Sequence, residues 1–191
     1  MLMLKDLGAK PYLFPMPVML VATYDSERKV NAMVVAWGGI CGDDLVMLNL
    51  DLKRKTLENI KLNRAFTIAL ADRAHIAEAD YLGSVSGLVD DDKFQKTNLN
   101  SKPSDRVAAP VLTDFPLTLE CELVEIQNGP NDVRIIGRIL NVLADEKVLD
   151  PSGKVEPSKL DAILFEPYKR GYYSLGERVG DAWKEGKKLG I

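Results

Sequence analysis

The chain is poor in cysteine and histidine: Cys41, Cys121 and His75 are the only ones in 191 residues. The two thiols stand eighty positions apart, so they form neither a CxxC redox pair nor a zinc ribbon. They are too few for a disulfide framework, which favours a reducing compartment and a cytoplasmic location. A lone histidine excludes a multi-histidine metal site, and any histidine-bearing hydrolase triad would have to use His75. Charge of one sign is also lacking. Twenty-five basic side chains against twenty-eight acidic ones leave a formal −3. That balance argues against sequence-independent nucleic-acid binding and against a polybasic membrane anchor. Long apolar runs are missing too. The stretch from Pro11 to Tyr24 is broken by Pro15 and Pro17 and falls short of the ~20 residues that a membrane span needs. Met1–Lys10 is too short and too broken for a signal peptide. Neither GxGxxG nor a Walker A sequence occurs, so a Rossmann dinucleotide domain or a P-loop kinase would have no phosphate loop here. No repeat and no low-complexity tract is present.

What remains is an ordinary globular composition, 46% apolar and 28% charged, at a length that suits one domain with its own core. Pro17–Tyr24 and Val30–Trp37 read as a strand pair joined by the turn at residues 25–29. Trp37–Gly42 reads as a glycine-broken loop. Leu45–Leu50 and Ala65–Ala71 read as strands, with helical spacing at Thr56–Ile60 between them. A helix over Ala74–Leu82 is expected to stop at Gly83, and a short one is expected over Asp91–Thr97. Asn98–Pro110 is polar with two prolines and reads as a long surface loop. Leu117–Ile126 alternates, with Leu117, Leu119, Cys121 and Leu123 on one face. Val133–Leu143 follows, with Gly137 marking a bulge or barrel corner. Short elements are expected at Ala162–Phe165 and Tyr172–Leu175. Six strands without βαβ alternation point to an antiparallel barrel.

Four places in this pattern could carry chemistry. Lys53, Arg54 and Thr56 stand between a strand and a helix start, where free backbone N–H groups and a partial positive charge favour a phosphate. The competing reading is a solvated basic turn with Thr56 as an ordinary N-cap. Asn31–Ile40 runs through small residues to Trp37 and two glycines. Such a strand lets backbone approach a flat ligand, or else it is a core strand with a buried tryptophan. Tyr81–Gly87 and Asp92–Phe94 suit a loop closing over a ligand, with Lys93 set beside an electron-rich ring or a phosphate. The alternative is a helix C-cap and an exposed lysine. Asp90, Asp91 and Asp92 lack an EF-hand pattern, and helix capping accounts for them better than a metal does. His75 reads as a surface or capping residue and Cys121 as core.

Taken in order, N-A-M-V-V-A-W-G-G-I at Asn31–Ile40, R-K-T-L-E-N-I at Arg54–Ile60, A-D-Y-L-G-S-V-S-G at Ala79–Gly87, D-K-F at Asp92–Phe94, P-L-T-L-E-C at Pro116–Cys121, I-G at Ile136–Gly137 and Y-Y-S-L-G at Tyr172–Gly176 resemble the flavin reductase-like family. That family includes flavoredoxins. The resemblance implies a mainly β fold, a six-stranded antiparallel Greek-key split barrel of the FMN-binding type. It implies one domain over 1–191, with the tail from about 150 packing on the barrel or on a dimer partner. It also implies a homodimer with FMN near the subunit interface. Arg54 and Thr56, with Lys53 nearby, would help hold the phosphate. Asn31, Met33, Val34, Val35, Ala36 and Trp37 would line the isoalloxazine and ribityl region, beside Asn49, Leu50 and Asp51. Ser84, Ser86 and Lys93 match the covering loop, and Phe165 an aromatic position by the flavin. No residue is assigned as catalytic and no metal is implied. The implied activity passes electrons from NADH or NADPH through FMN to a free flavin or another acceptor. The alternatives are a flavoredoxin-like electron carrier serving a redox protein partner, and a non-redox barrel for another planar ligand. Flavoredoxin-like members often carry a histidine where this chain has Asn131-Asp132. The loop Cys41–Leu45 is short where the family often has a proline-rich segment.

Overall fold

A computed structural model describes residues 2–190 of the chain; Met1, where the segment read as no signal peptide begins, and Ile191 lie outside them. The fold is mainly β. Twelve strands occur in the order β1 (Met16–Pro17), β2 (Met19–Tyr24), β3 (Val30–Val35), β4 (Gly38–Ile40), β5 (Leu45–Asp51), β6 (Ala65–Leu70), β7 (Ser101–Pro103), β8 (Pro110–Leu112), β9 (Leu117–Asn128), β10 (Asp132–Ala144), β11 (Ile163–Glu166) and β12 (Gly171–Ser174). Among the described residues, three short α-helices accompany them: α1 (Lys55–Asn63), α2 (Ile76–Ser84) and α3 (Pro157–Leu160). Among the same residues, no helix is long and apolar enough to cross a membrane.

The main sheet has seven strands, ordered β3-β2-β6-β9-β10-β5-β4, where six are expected from sequence. The extra strand is β4, which lies inside the stretch read as a glycine-broken loop. Gly38, Gly39 and Ile40 pair antiparallel with Leu48, Met47 and Val46 of β5. Glycine lowers strand propensity, but here it permits the pairing. A Cβ on Gly38 would lie 2.4 Å from the Met47 carbonyl oxygen, a distance only glycine avoids.

β2 sits between β3 and β6 and is buried along its whole length. Its alternation divides the core. Met19 and Val21 join Leu48, Ile60, Phe66, Ile68, Cys121 and Ile135 inside the curl of the sheet. Leu20 and Ala22 face outward onto a second cluster with Leu82, Phe94, Leu112 and Phe115. A strand buried on both faces must be apolar at successive positions, which M-L-V-A at Met19–Ala22 provides. β9 and β10 form the longest hairpin, and its register shifts twice, between Ile136 and Gly137 and between Ile139 and Asn141. Gly137 therefore marks a bulge, as its place in the sequence suggests. A Cβ there would stand 2.4 Å from Phe66 Cζ, so β10 bends over the phenyl ring only because the residue is glycine.

Asn98–Pro110 is not a surface loop throughout. Leu99 and Ala109 are buried, and β7 and β8 pair across it in a two-stranded sheet. Strands of three residues are too short to show a period of two. Thr67 Oγ1 donates to the Pro110 carbonyl at 2.5 Å and fastens this hairpin to β6. The helix expected to stop at Gly83 continues through it to Ser84. Gly83 serves packing instead of capping: a Cβ there would sit 3.2 Å from Val34 Cβ. Over Asp91–Thr97 the chain makes turns and a 3₁₀ turn at Gln95–Thr97 in place of an α-helix. Beyond α3 the chain returns through β11 and β12, which form a three-stranded sheet with β1. That sheet brings Phe165 and Tyr172 back to the end of β3.

Candidate functional site

The end of β3 approaches β5, where the N–H of Asn49 donates to the Trp37 carbonyl at 2.8 Å. A cavity of about 650 Å³ opens at this junction, within the 300–1,000 Å³ typical of small-molecule sites. One wall is the strand end Met33, Val34, Val35, Ala36 and Trp37. Asn49, Leu50 and Asp51 of β5, with Arg54 just beyond it, form a second wall. Gly83 and Ser84 come from the end of α2, and Phe165 and Tyr172 from the C-terminal sheet. Trp37 is 50% exposed, which decides against the buried-core reading. Its ring lies 6.2 Å from that of Phe165, and Phe165 lies 6.1 Å from Tyr172. A row of three aromatic rings thus borders the cavity.

A recess adjoins it, sharing Met33, Arg54 and Gly83 and adding Asn31, Thr56, Ser86, Gly87 and Lys93. This is where α1 begins. Its N-cap is Arg54, in extended conformation, and no side chain caps the helix. Thr56 is not the cap that the sequence allows. It is buried, and its hydroxyl accepts from Asn31 Nδ2 at 2.9 Å. Asn59 Nδ2 donates to Thr23 Oγ1 at 3.0 Å, and Thr23 Oγ1 donates to the Asn31 carbonyl at 3.4 Å. This buried polar chain pins the start of α1 against β2 and β3. It leaves the first helical N–H groups free to bind an anion. Gly87 completes the wall, since a Cβ there would stand 2.5 Å from Asn31 Oδ1.

Lys93 is 2% exposed, not the exposed lysine of the alternative reading. Its ammonium donates to the carbonyls of Leu82 and Val85, each at 2.8 Å. It thereby ties the end of α2 to the following loop and holds Ser84 and Ser86 in place. Burial, and then the Arg54 charge, push its pKa down to about 8, with Asp90 opposing. It lines the recess and not the larger cavity, so it sits by the anion end and not by the aromatic rings. Arg54 is anchored by Asp51, which accepts from Nε at 3.0 Å and also from Nη2. Lys53 lines neither space and is exposed on the turn before α1.

Of the residues singled out by sequence, all but Lys53 gather around these two adjoining spaces. Those missed include Val18, Asp80, Gly83, Asn131, Asp132 and Tyr172. Asp80, Gly83 and Tyr172 lie inside quoted motifs, and Asn131-Asp132 stands out as a departure, so a signal existed for these five. Asn49 Nδ2 donates to Asp132 Oδ2 at 3.1 Å, while Asn49 Oδ1 and Asp132 Oδ1 are buried without a partner. Tyr172 donates to Asp80 Oδ1 at 2.9 Å. Burial, and then the Asp80 carboxylate, push its phenol up to about 12, so it remains a neutral donor.

Elsewhere His75 and Cys121 stand where the bland readings put them. His75 Nδ1 lies 2.8 Å from Asp72 Oδ1 and its ring packs edge-on against Phe115, away from the cavity. Cys121 is buried, and burial, followed by Glu120, pushes its thiol up to about 12. Cys41 is exposed on the turn after β4. The helix-capping reading of Asp90, Asp91 and Asp92 does not hold, since no α-helix follows them; Asp90 pairs with Lys96, and Asp91 and Asp92 pair with Lys29. The chemistry of the site thus has two ends. An uncapped helix start with Arg54, Thr56 and Lys93 suits a phosphate. The β3 wall and the aromatic row suit a planar conjugated head.

Comparison with known proteins places these features in a family. The flavin reductase like domain matches residues 12–173. The chain is similar to the flavoredoxin of Desulfovibrio vulgaris (Miyazaki F), at 35% identity and a TM-score of 0.92, over 96% of this chain and 100% of that one. It is also similar to the flavoredoxin from Methanosarcina acetivorans, at 25% identity and a TM-score of 0.87, over 97% and 100%. An FMN-binding protein from Thermus thermophilus shares the fold at 22% identity and a TM-score of 0.77, over 95% and 99%. No curated protein matches.

Proposed function

The chain belongs to the flavin reductase-like family, and from that premise we propose that it binds FMN and works as an oxidoreductase whose flavin takes up and hands on electrons. The observation that carries this reading is the pairing, in adjoining spaces, of an uncapped helix start bearing Arg54 and Thr56 with a 650 Å³ cavity walled by β3. FMN supplies the redox chemistry when bound. The chain's own residues bind and orient it. The first N–H groups of α1, the Arg54 guanidinium and the Thr56 hydroxyl hold the phosphate, with the Lys93 ammonium beside them. Backbone groups of Val34–Trp37 and the side chains of Asn49 and Asp51 border the ring system. Trp37 and Phe165 exclude water from it. No acid–base residue is required, which accords with a site that has no histidine.

Two electron routes use this site. In one, NADH or NADPH would supply the electrons and a free flavin or another acceptor would receive them. In the other, the protein is an electron carrier that exchanges electrons with a redox protein partner. Similarity to a flavoredoxin over 96% of this chain and 100% of that one supports the carrier. The test is an absorbance spectrum of purified protein, before and after reconstitution with FMN, followed by anaerobic addition of NADH and NADPH. Flavin bands near ~370 and ~450 nm are expected of the bound cofactor. Persistent colour after nicotinamide supports the carrier, and rapid bleaching supports the reductase. Protein that stays colourless with FMN overturns both and leaves a barrel for another ligand. The reading includes a homodimer, for which the exposed Trp37, Ile40 and Leu52 beside the site offer apolar surface. Sedimentation of a monomer at micromolar concentration would remove that part. Two unpaired thiols fit a cytoplasmic location.

A further inference from the structure

We propose that the part of the cavity left beside the flavin admits planar aromatic molecules that are neutral or positively charged, and turns anions away. This rests on the FMN reading above and names the class of substrate for it. Three carboxylates line the cavity, Asp51, Asp80 and Asp132, against one basic side chain, Arg54. Arg54 is bound to Asp51 and stands where the cavity meets the recess, so its charge is committed to that carboxylate and to the phosphate. Asp80 and Asp132 have only neutral partners, the Tyr172 phenol and the Asn49 amide. Asp132 keeps one buried oxygen that no donor satisfies, and so does Asn49.

These carboxylates face a cavity bordered by the row Trp37, Phe165 and Tyr172. Aromatic faces attract cations, and the partly buried Asp132 carboxylate reinforces that preference more than Asp80, which is exposed and screened by water. An anion entering here would meet the carboxylate of Asp132, with that of Asp80 at the solvent edge, and find no lysine or arginine of the lining free to receive it. A molecule carrying a pyrophosphate is disfavoured on the same ground. Electrons are then better delivered by a protein, or by a small uncharged or cationic ring, than by a nicotinamide dinucleotide.

Three probes of one shape and three charges test this: benzamidinium, benzamide and benzoate. Each is titrated into FMN-loaded protein at low ionic strength, and the shift of the flavin absorbance gives its dissociation constant. Benzamidinium is expected to bind roughly tenfold more tightly than benzoate, with benzamide between them. Asp132→Asn and Asp80→Asn should each narrow the gap, and so should added salt. Benzoate binding as tightly as benzamidinium, or no shift with any probe, overturns the proposal. A prior FMN titration separates the two levels: protein that takes no FMN defeats the functional reading itself, whereas holoprotein that prefers benzoate defeats only this inference.

Discussion

Lys93 gives the sharpest test of the site's electrostatics. Its ammonium is held by two carbonyls inside the protein, and burial and Arg54 lower it from 10.5 to about 8. At 1.36 kcal/mol for each tenfold change in proton affinity, that difference corresponds to about 3 kcal/mol. The sign follows from proton counting. Between pH 8 and 10.5 the unfolded chain holds this proton and the folded chain has released it. Unfolding therefore takes up a proton, and the contribution of Lys93 to stability rises with pH across that window. Below pH 8 both states are protonated and the full cost of the buried charge remains. Urea unfolding of FMN-free protein at pH 7.5, 9 and 10.5, for wild type and Lys93→Met, isolates this group from other titrating side chains. The wild type should gain up to about 3 kcal/mol relative to the variant between the extremes. An anion in the recess favours the charged lysine, so FMN affinity should fall above pH 8 in the wild type and be flatter in the variant. Parallel stability profiles for the two proteins would refute the reasoning, because they would mean that the ammonium is not burdened by its surroundings.

Other expectations follow from the same geometry. Arg54→Ala should weaken FMN binding by about 1.5–3 kcal/mol, the range for a charge-assisted bond, and should leave riboflavin binding nearly unchanged. Calorimetric titration with both flavins checks this, and equal losses would show that Arg54 does not read the phosphate. Gly137→Ala should cost about 1–3 kcal/mol through overpacking, since its Cβ would meet Phe66 Cζ at 2.4 Å. A urea midpoint at the wild-type value would mean that β10 can shift off the ring. A thiol reagent at pH 8 should label Cys41 quickly and Cys121 only after unfolding, because the second thiol is buried and its pKa is raised to about 12. Two equivalents reacting at once in the native protein would contradict the packing.

Much of the fold is legible because its strands obey a period of two or are apolar throughout. β2, β3, β5 and β6 fall where the sequence puts them. The departures have local causes. β4 contains two glycines, and what makes it a strand is a close approach to Met47 that propensity does not register. β7 and β8 are three residues each, below the length at which alternation is visible. The site was legible in its parts. The strand ending at Trp37 and the basic stretch before α1 stand out, and the fold brings them together. Lys53, Arg54 and Lys55 look alike in sequence, yet only Arg54 lines both spaces, because the turn into α1 points Lys53 outward. The N-cap alternative for Thr56 fails because its hydroxyl pairs with Asn31, twenty-five positions away on another strand. Lys93 looks like a surface lysine in D-D-K-F, and only tertiary packing shows that it is buried.

The two ends of the site are anchored with unequal firmness. Asn31 and Thr56 belong to the polar chain locked between β2, β3 and α1, all of it buried. Gly38–Ile40, which carries the chain away from Trp37, is held to the sheet by three residue pairs along one side only. Short, singly paired strands open locally at low free energy, whereas buried central ones exchange their amides only on global unfolding. Amide exchange should therefore be fast from Gly38 to Ile40 and slow through Met19–Tyr24. A ligand whose tail is seated at α1 would be gripped there by a rigid element, while the tryptophan wall over its head keeps the freedom to open and close. Holding a ligand's tail and admitting partners to its head would thus fall to different parts of the sheet.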